Sequence, residues 1–126
     1  MRLLLDTNAL IYLVGEPDVM RAAARDAVRD PANAVFFSAV NVWEIEIKVK
    51  RGKLSRPAPD VIAAAARQGY AELAISARHG EASGRLPLHH RDPFDRVLIA
   101  QAQVEGLTLV TRDRAFAPYD VPVLPC

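Results

Sequence analysis

The sequence has few residues that could crosslink the chain. Its 126 residues include one cysteine, Cys126, so no internal disulfide can form and no cysteine cluster is available for zinc. We therefore expect a fold that does not depend on an oxidising compartment, which favours a cytoplasmic location. We expect Cys126 itself to be an exposed, incidental thiol.

An excess of charge and a long apolar run are also missing. The chain has 16 basic and 15 acidic residues and a net charge of +1, so any nucleic-acid contact must be local. No stretch approaches the roughly 20 apolar residues that span a bilayer, and we expect no membrane partner. Asp6 and Asn8 interrupt the apolar start of the chain, which we interpret as part of the fold rather than a signal peptide.

The residues that are present predict one α/β domain over residues 1–126. Short apolar runs predict five strands, at 2–5, 34–38, 72–75, 107–110 and 121–124, the last at an edge. Helical patterns lie between them, at 8–14, 18–29, 40–50, 60–67 and 92–105, with a weaker one ending at 83. Strands separated by helices indicate three layers, α/β/α, around a central, mostly parallel five-stranded sheet.

Acidic residues fall at strand ends and near helix starts. Asp6 directly follows the first predicted strand, and Asp113 follows the fourth. Glu44 lies in the helix after the second strand, and Asp95 lies in the first turn of the helix that leads to the fourth. Ligands of open parallel sheets bind beyond the carboxyl ends of the strands, so these four acids are candidates for one site.

Each of the four acids also has a purely structural explanation. The two at strand ends can cap the next helical turn, and Asp95 can interact favourably with its helix dipole. Glu44 can pair with Lys48, four residues further on. We interpret Asp92 as a plain helix N-cap that lies outside the site.

The four acids taken together favour a bound cation. Carboxylates gathered on one rim repel one another and raise one another's pKa, a cost that a cation offsets. Oxygen ligands without cysteine, and without histidine at ligand spacing, favour Mg²⁺, with Mn²⁺ as a substitute, over zinc. One or two such ions can activate water and stabilise a leaving oxygen in phosphoryl transfer.

Four segments of the chain carry a family resemblance. They are LLLDTNALIYL, SAVNVWEIEIKVKRGKL, LPLHHRDPFDRVLIAQAQVEGLTLVTRD and FAPYDVPVL, and they cover nearly the whole sequence. The sequence resembles the PIN-domain ribonucleases, most closely the VapC-type toxins of bacterial toxin–antitoxin pairs. The third segment is the specific one, because a lone DTN motif would be a weak signal.

The resemblance implies a PIN-like fold and a set of catalytic, metal-binding acids: Asp6, Glu44, Asp95 and Asp113. It implies Mg²⁺-dependent endonucleolytic cleavage of RNA, with water attacking in line and a 5′-phosphate as product. It also implies a homodimer and a cognate VapB-like antitoxin that blocks the site.

Residues around the acids are predicted to orient them or to contact RNA. Thr111 matches a family hydroxyl that can position a carboxylate or a water, and Asn8 and Asn41 are given similar orienting roles. Asn41 stands where the family pattern has serine, but its amide can still donate and accept hydrogen bonds. Weak phosphate contacts are predicted for the arginines that flank the acids, Arg91, Arg96, Arg112 and Arg114.

Other expectations concern packing. The helix over 40–50 places Val42, Ile45 and Val49 on one apolar stripe. Trp43 can belong to the core or to an interface, and the core is the prediction. The helix over 8–14 is apolar nearly all round, so it must be buried inside the domain or against a partner. His89 and His90 are predicted to be loop residues rather than general bases.

The sequence is also compatible with two other classes of protein. One is a non-catalytic RNA-binding or regulatory α/β domain, although a receiver would need two adjacent acids near the end of the first strand. The other is a haloacid-dehalogenase-like phosphatase, which would need a second acid where this chain has Asn8. Metal-dependent RNA cleavage that is lost in Asp95→Asn would distinguish the nuclease from both.

Overall fold

Five short strands form the centre of the structure, a computed structural model that describes residues 1–126. They are β1 (Arg2–Leu5), β2 (Ala34–Ser38), β3 (Ala71–Leu73), β4 (Thr108–Thr111) and β5 (Val123–Pro125). Their order in the sheet is β3-β2-β1-β4-β5, and every neighbouring pair is parallel. The predicted five-stranded sheet is confirmed, and the edge strand β5 is parallel as well.

Six α-helices connect the strands. They are α1 (Thr7–Gly15), α2 (Ala22–Arg29), α3 (Ala39–Lys50), α4 (Val61–Arg67), α5 (Ala77–Arg85) and α6 (Pro93–Glu105). Single 3₁₀ turns follow α1, at Pro17–Val19, and β4, at Arg114–Phe116. None of the helices is both long and apolar enough to cross a bilayer.

The prediction of one helix over 18–29 is wrong in its first part. The chain makes the short 3₁₀ turn there, and α2 begins only at Ala22. Met20, between the two, has extended backbone angles and a buried side chain. Burial of this side chain in the core accompanies the interruption of the helix, which the alanine-rich composition alone does not predict.

The sheet is covered on both faces, as the three-layer prediction requires. Leu3 and Leu5 of β1 belong to a core cluster that includes residues of α1, α2 and α4. Leu4, which points to the opposite face, belongs to a second cluster to which α6 contributes the most residues. Leu10 and Leu13 of α1 are buried in the first cluster, so this apolar helix is largely covered within the chain.

The strand order creates a crevice at the carboxyl edge of the sheet. From β1 the chain proceeds outward to β2 and β3, then returns to the other side of β1 for β4 and β5. The carboxyl ends of β1 and β4 are therefore neighbours whose connections run in opposite directions. Such a reversal point is where open α/β sheets bind their ligands.

Arg96 is buried and holds the loop before α6. Its guanidinium donates hydrogen bonds to the carbonyl oxygens of Ser83 (2.8 Å), Pro87 (2.9 Å), Leu86 (3.0 Å) and His90 (3.3 Å). Only 8% of the residue is exposed. The structure thus contradicts the prediction of an RNA contact here and assigns Arg96 to the fold.

Cys126 is also inside the protein, contrary to the expectation of an exposed thiol. The residue is 2% exposed and belongs to the first core cluster. Its backbone nitrogen donates to the carbonyl of Thr111, which extends the pairing of β4 with β5. Burial raises the pKa of the thiol above its usual range, so we expect it to be unreactive in the folded protein.

Candidate active site

The four predicted acids converge on one small cleft at the carboxyl edge of the sheet. Asp6 follows β1, Glu44 lies in the second turn of α3, Asp95 in the first turn of α6, and Asp113 follows β4. The cleft has a volume of about 130 Å³ and is lined by Asp6, Thr7, Asn8, Glu44, Lys48, Asp92, Asp95, Asp113 and Phe116. Four separate elements therefore contribute acids to one place.

Asp6 and Asp113 cap helical turns and also line the cleft, so the structural and the functional explanation of these acids both apply. One oxygen of Asp6 accepts a hydrogen bond from the Ala9 backbone nitrogen at 2.7 Å. One oxygen of Asp113 accepts from the Ala115 nitrogen at 2.9 Å. Each cap occupies one oxygen and fixes the orientation of the carboxylate, whose second oxygen stays available to a ligand.

Asp92 also combines a helix cap with a place in the cleft, so the prediction that it lies outside the site is wrong. Its Oδ1 accepts from the Phe94 nitrogen at 2.9 Å, which makes it the N-cap of α6 as expected. It nevertheless lines the cleft beside Asp95. The local sequence signal for a cap was correct, but it says nothing about what lies opposite the second oxygen.

Glu44 is oriented by a chain of buried hydrogen bonds. The Thr7 hydroxyl donates to Glu44 Oε1 at 2.6 Å, and the Asn41 amide nitrogen donates to the Thr7 hydroxyl at 3.1 Å. Asn41 Oδ1 accepts from the Ser38 backbone nitrogen at 2.7 Å, which anchors this chain at the start of α3. Asn41 thus supports an acid of the cleft through Thr7, a contact that serine is too short to reproduce in the same way.

Lys48 occupies the cleft together with the acids. Its ammonium lies 2.7 Å from Glu44 Oε2, which confirms the predicted pair four residues apart. Glu44 is only 6% exposed, however, so the pair is not an ordinary pair on a helix surface. The hydrogen bond to Glu44, with help from nearby Asp92 and Asp95, raises the pKa of Lys48.

The electrostatics of the cleft disfavour several negative charges in the absence of a cation. Burial raises the pKa of Asp6, and the neighbouring Asp113 and Glu44 raise it further, while the Thr111 hydroxyl and a backbone N–H oppose the rise. Burial raises the pKa of Asp95 to about 6, against the lowering effect of a hydrogen bond from His90. Carboxyls in such surroundings gain from a cation nearby.

His90 is a residue of the site that the sequence did not predict. Its Nε2 lies 2.6 Å from Asp95 Oδ2. His90, Asp92 and Asp95 place one ligand atom each within 4.8 Å of one another, and no three of the four predicted acids come this close. The HHRDPFD segment contains these residues, but the loop conformation, and not their spacing, brings the imidazole back onto Asp95.

The donor set fits a hard divalent cation. The cleft offers carboxylate oxygens from several elements and no thiolate. Mg²⁺ retains several waters and is bound directly by one or two carboxylates, so an open arrangement of acids suits it. Thr111 accepts a hydrogen bond from the Asp113 backbone nitrogen at 3.0 Å and lies beside Asp6, between two acids of the cleft.

Exposed arginines line a second cavity that adjoins the cleft at Asp113. This cavity has a volume of about 440 Å³, and its basic residues are Arg21, Arg112 and Arg114. The Arg112 guanidinium stacks over the Tyr12 ring at 4.6 Å and donates to two carbonyl oxygens, so it is held in place. Arg91 is exposed in the loop beside Asp92.

The fold and the cleft define a parallel α/β/α protein with an acidic site at the reversal point of its sheet. The family model of the PIN domain matches residues 3–122. The chain belongs to the PIN domain family, and not to the haloacid-dehalogenase-like phosphatases.

Solved structures of similar fold come from bacterial toxin–antitoxin complexes. A chain of the DNA-bound VapBC from Salmonella typhimurium matches with a TM-score of 0.72 and 15% identity, over 99% of this chain and 98% of that one. A chain of VapBC-1 from nontypeable Haemophilus influenzae matches with a TM-score of 0.66 and 20% identity, over 99% and 98%. A toxin–antitoxin complex from Klebsiella pneumoniae gives 0.62 and 26%, over 96% and 94%. No curated protein sequence matches the chain.

Proposed function

We propose that this PIN domain, a single domain over residues 1–126, is a metal-dependent endoribonuclease that acts as the toxin of a toxin–antitoxin pair. The observation that carries the proposal is the convergence of acids from β1, α3, α6 and β4 on one cleft. A purely structural role would not require buried carboxyls whose pKa values are raised by burial. Such perturbed groups in a cleft are typical of functional sites.

Asp6, Glu44, Asp95 and Asp113 would hold Mg²⁺, or Mn²⁺ in its place, and Asp92 is added to this set because it lines the same cleft. A divalent cation supplies Lewis acidity, which lowers the pKa of water and neutralises charge on a phosphate. The caps on Asp6 and Asp113 each use Oδ1 and restrain the carboxylate at the edge of the cleft.

Side chains around the acids would prepare the site for a phosphodiester. Asn41 and Thr7 fix Glu44, and His90 fixes Asp95, so the acids need little reorganisation when a ligand arrives. Lys48 brings a positive charge into the cleft. Arg112 and Arg114 line the adjoining cavity and would contact RNA phosphates beyond the cleaved one.

A protein partner and a homodimer are part of the same proposal. The similar folds come from complexes called VapBC or toxin–antitoxin, and this chain would bind a VapB-like antitoxin that covers the cleft, in the cytoplasm. Size measurement across micromolar concentrations tests both: a chain that stays monomeric alone and with every candidate antitoxin contradicts this part of the proposal.

Cleavage of labelled total RNA by the purified chain tests the chemistry. We expect cuts with Mg²⁺ or Mn²⁺, none with EDTA, and none in Asp95→Asn, while Asp26→Asn, at an exposed position of α2, cuts normally. Water as the nucleophile predicts 5′-phosphate ends. Cleavage that persists in excess EDTA, or 2′,3′-cyclic phosphate ends, would contradict the mechanism.

The alternative is an RNA-binding domain without catalysis. Folded, antitoxin-free protein that binds RNA but makes no cuts with any metal would favour it over the nuclease.

A further inference from the structure

Trp43, the single tryptophan of the chain, is an exposed residue of α3. The prediction that it belongs to the core is wrong, since 57% of the residue is accessible. It immediately precedes Glu44 in α3. Its ring meets that of Phe94, which immediately precedes Asp95, edge to face with 5.0 Å between the centroids. Two aromatic residues in contact are thus each the chain neighbour of an acid that lines the cleft.

The contact with Phe94 anchors this exposed ring. Phe94 packs against the second core cluster, so it is fixed to the body of the protein. Edge-to-face contact is a preferred geometry of aromatic pairs, and here it restrains Trp43 while leaving more than half of the residue open. An aromatic surface that is both rigid and accessible needs little ordering when a flat ligand stacks on it.

The surroundings of Trp43 on α3 are polar. No other large apolar side chain of α3 is strongly exposed, and Glu46 and Lys50, on the same side of the helix, are charged and accessible. A stable protein–protein interface covers about 800 Å² on each partner, for which α3 offers one apolar side chain. Proteins instead hold unpaired bases on an accessible aromatic ring with basic groups nearby. Lys50 is such a group beside Trp43, and Glu46 is paired with Arg56.

The strand order determines which features lie on either side of the cleft. Trp43 is carried by the helix after β2, and Arg114 follows β4, with β1 and its Asp6 between these strands. Along the carboxyl edge, β1 and its Asp6 therefore separate the strand that leads into α3 and Trp43 from the arginine-lined cavity after β4.

We propose that Trp43 stacks on one unpaired base of the substrate, in the nucleotide next to the cleaved phosphate. This inference rests on the proposed nuclease function and assigns to it a base-contacting side chain outside the set of acids. Bases within a duplex are stacked on each other and cannot reach the ring. Stacking is tolerant of base identity, because every base has a π face, so Trp43 selects unpaired RNA more than a sequence.

Binding measurements on the full chain test the stacking directly. As the only tryptophan, Trp43 reports through its own fluorescence. In an Asp95→Asn background, which keeps RNA uncut, we expect a short single-stranded oligoribonucleotide to quench the fluorescence. The same oligomer without bases, which keeps every phosphate, and its duplex should quench little. Trp43→Ala, followed with a labelled oligomer, should bind about 5- to 140-fold more weakly.

Matched variants separate stacking from a general loss of apolar surface. Trp43→Phe should retain most of the affinity, and Ile62→Ala, at an exposed apolar position of α4, should retain all of it. Equal quenching by the abasic oligomer, or unchanged affinity in Trp43→Ala, would overturn the proposal. So would a change from dimer to monomer in Trp43→Ala without loss of RNA affinity, because the ring would then belong to a protein interface.

The outcomes distinguish this inference from the nuclease proposal. RNA cutting by the wild-type chain without quenching overturns the stacking alone. Quenching that depends on bases, from a chain that cuts no RNA with any metal, supports the stacking and overturns the nuclease.

Discussion

Replacing Asp95 by asparagine should stabilise the metal-free protein at neutral and alkaline pH. The pKa of this carboxyl is raised from 3.8 to about 6 by burial, and its side chain is 17% exposed. The folded state therefore binds a proton more tightly than the unfolded state. Asp95 lowers stability increasingly as the pH rises from about 4 through 6, where the folded carboxyl must lose its proton.

The magnitude follows from the pKa difference. At about 1.4 kcal/mol per pKa unit, a rise from 3.8 to about 6 corresponds to about 3 kcal/mol above pH 7. Asparagine resembles the protonated acid and removes this penalty. For a chain of this length, 1 kcal/mol changes Tm by roughly 4 °C, so Asp95→Asn should melt about 10 °C higher in EDTA at pH 8.

Thermal and urea unfolding in EDTA, from pH 4 to pH 8, measures the effect. The stability difference between Asp95→Asn and wild type should be near zero at pH 4 and grow through pH 6. Asp26→Asn, an exposed control, should change stability by less than about 0.5 kcal/mol at every pH. The prediction is contradicted if Asp95→Asn is no more stable than wild type at pH 8, or if it is stabilised equally at pH 4 and pH 8. Added Mg²⁺ should narrow the gap by stabilising the wild type.

Three further predictions concern other parts of the structure. Arg96→Met should lower the free energy of unfolding by at least about 3 kcal/mol in urea, since several buried carbonyls lose a charged donor; a loss under about 1 kcal/mol would contradict its structural role. Thr7→Val removes the hydroxyl between Asn41 and Glu44 and should weaken Mn²⁺ binding, measured by calorimetry, about 10- to 100-fold; unchanged affinity would mean that Glu44 needs no such support. Cys126 should react with a thiol reagent in urea and hardly at all in buffer, because it is buried and burial raises its pKa; fast labelling of the folded protein would refute its burial.

Much of the fold could be predicted because its signals are local. The start and end of α6 are the clearest case, with Asp92 as the N-cap, Pro93 in the first turn and Gly106 in the left-handed conformation at the end. The strands β1, β2 and β4 follow from short apolar runs that a doubly covered sheet requires. Such signals depend on neighbours a few residues apart, which the sequence states directly.

Four acids of the site could be predicted from such local signals, but the fifth, Asp92, could not be assigned to the site. Asp6 and Asp113 stand at strand ends, and the carboxyl ends of parallel strands share one edge, so their proximity follows from the topology. Asp92 and His90 belong to a loop whose shape depends on Arg96, a buried residue with no local signal. Capping explains Asp92 completely at the level of sequence, and only the folded loop shows its second role.

Some features of α3 can be predicted from the sequence, and others depend on how the helix packs. Its extent follows from the sequence, and so does the Glu44–Lys48 pair. The predicted apolar stripe is confirmed, since Ile45 belongs to the first core cluster and Val42 and Val49 pack against it. The burial of the polar residues Asn41 and Glu44 and the exposure of Trp43 were not predicted.

Local signals in the chain were enough to predict the five strands, the start and end of α6, and the four acids of the initial set at the edge of the sheet. Long-range packing encloses the polar side chains that no local signal predicts: Arg96 in the loop network, Asn41 next to Thr7, and the thiol of Cys126 in the core. Burial depends on which faces pack together across long separations in the chain. A buried polar group is stable only with partners that those distant segments supply.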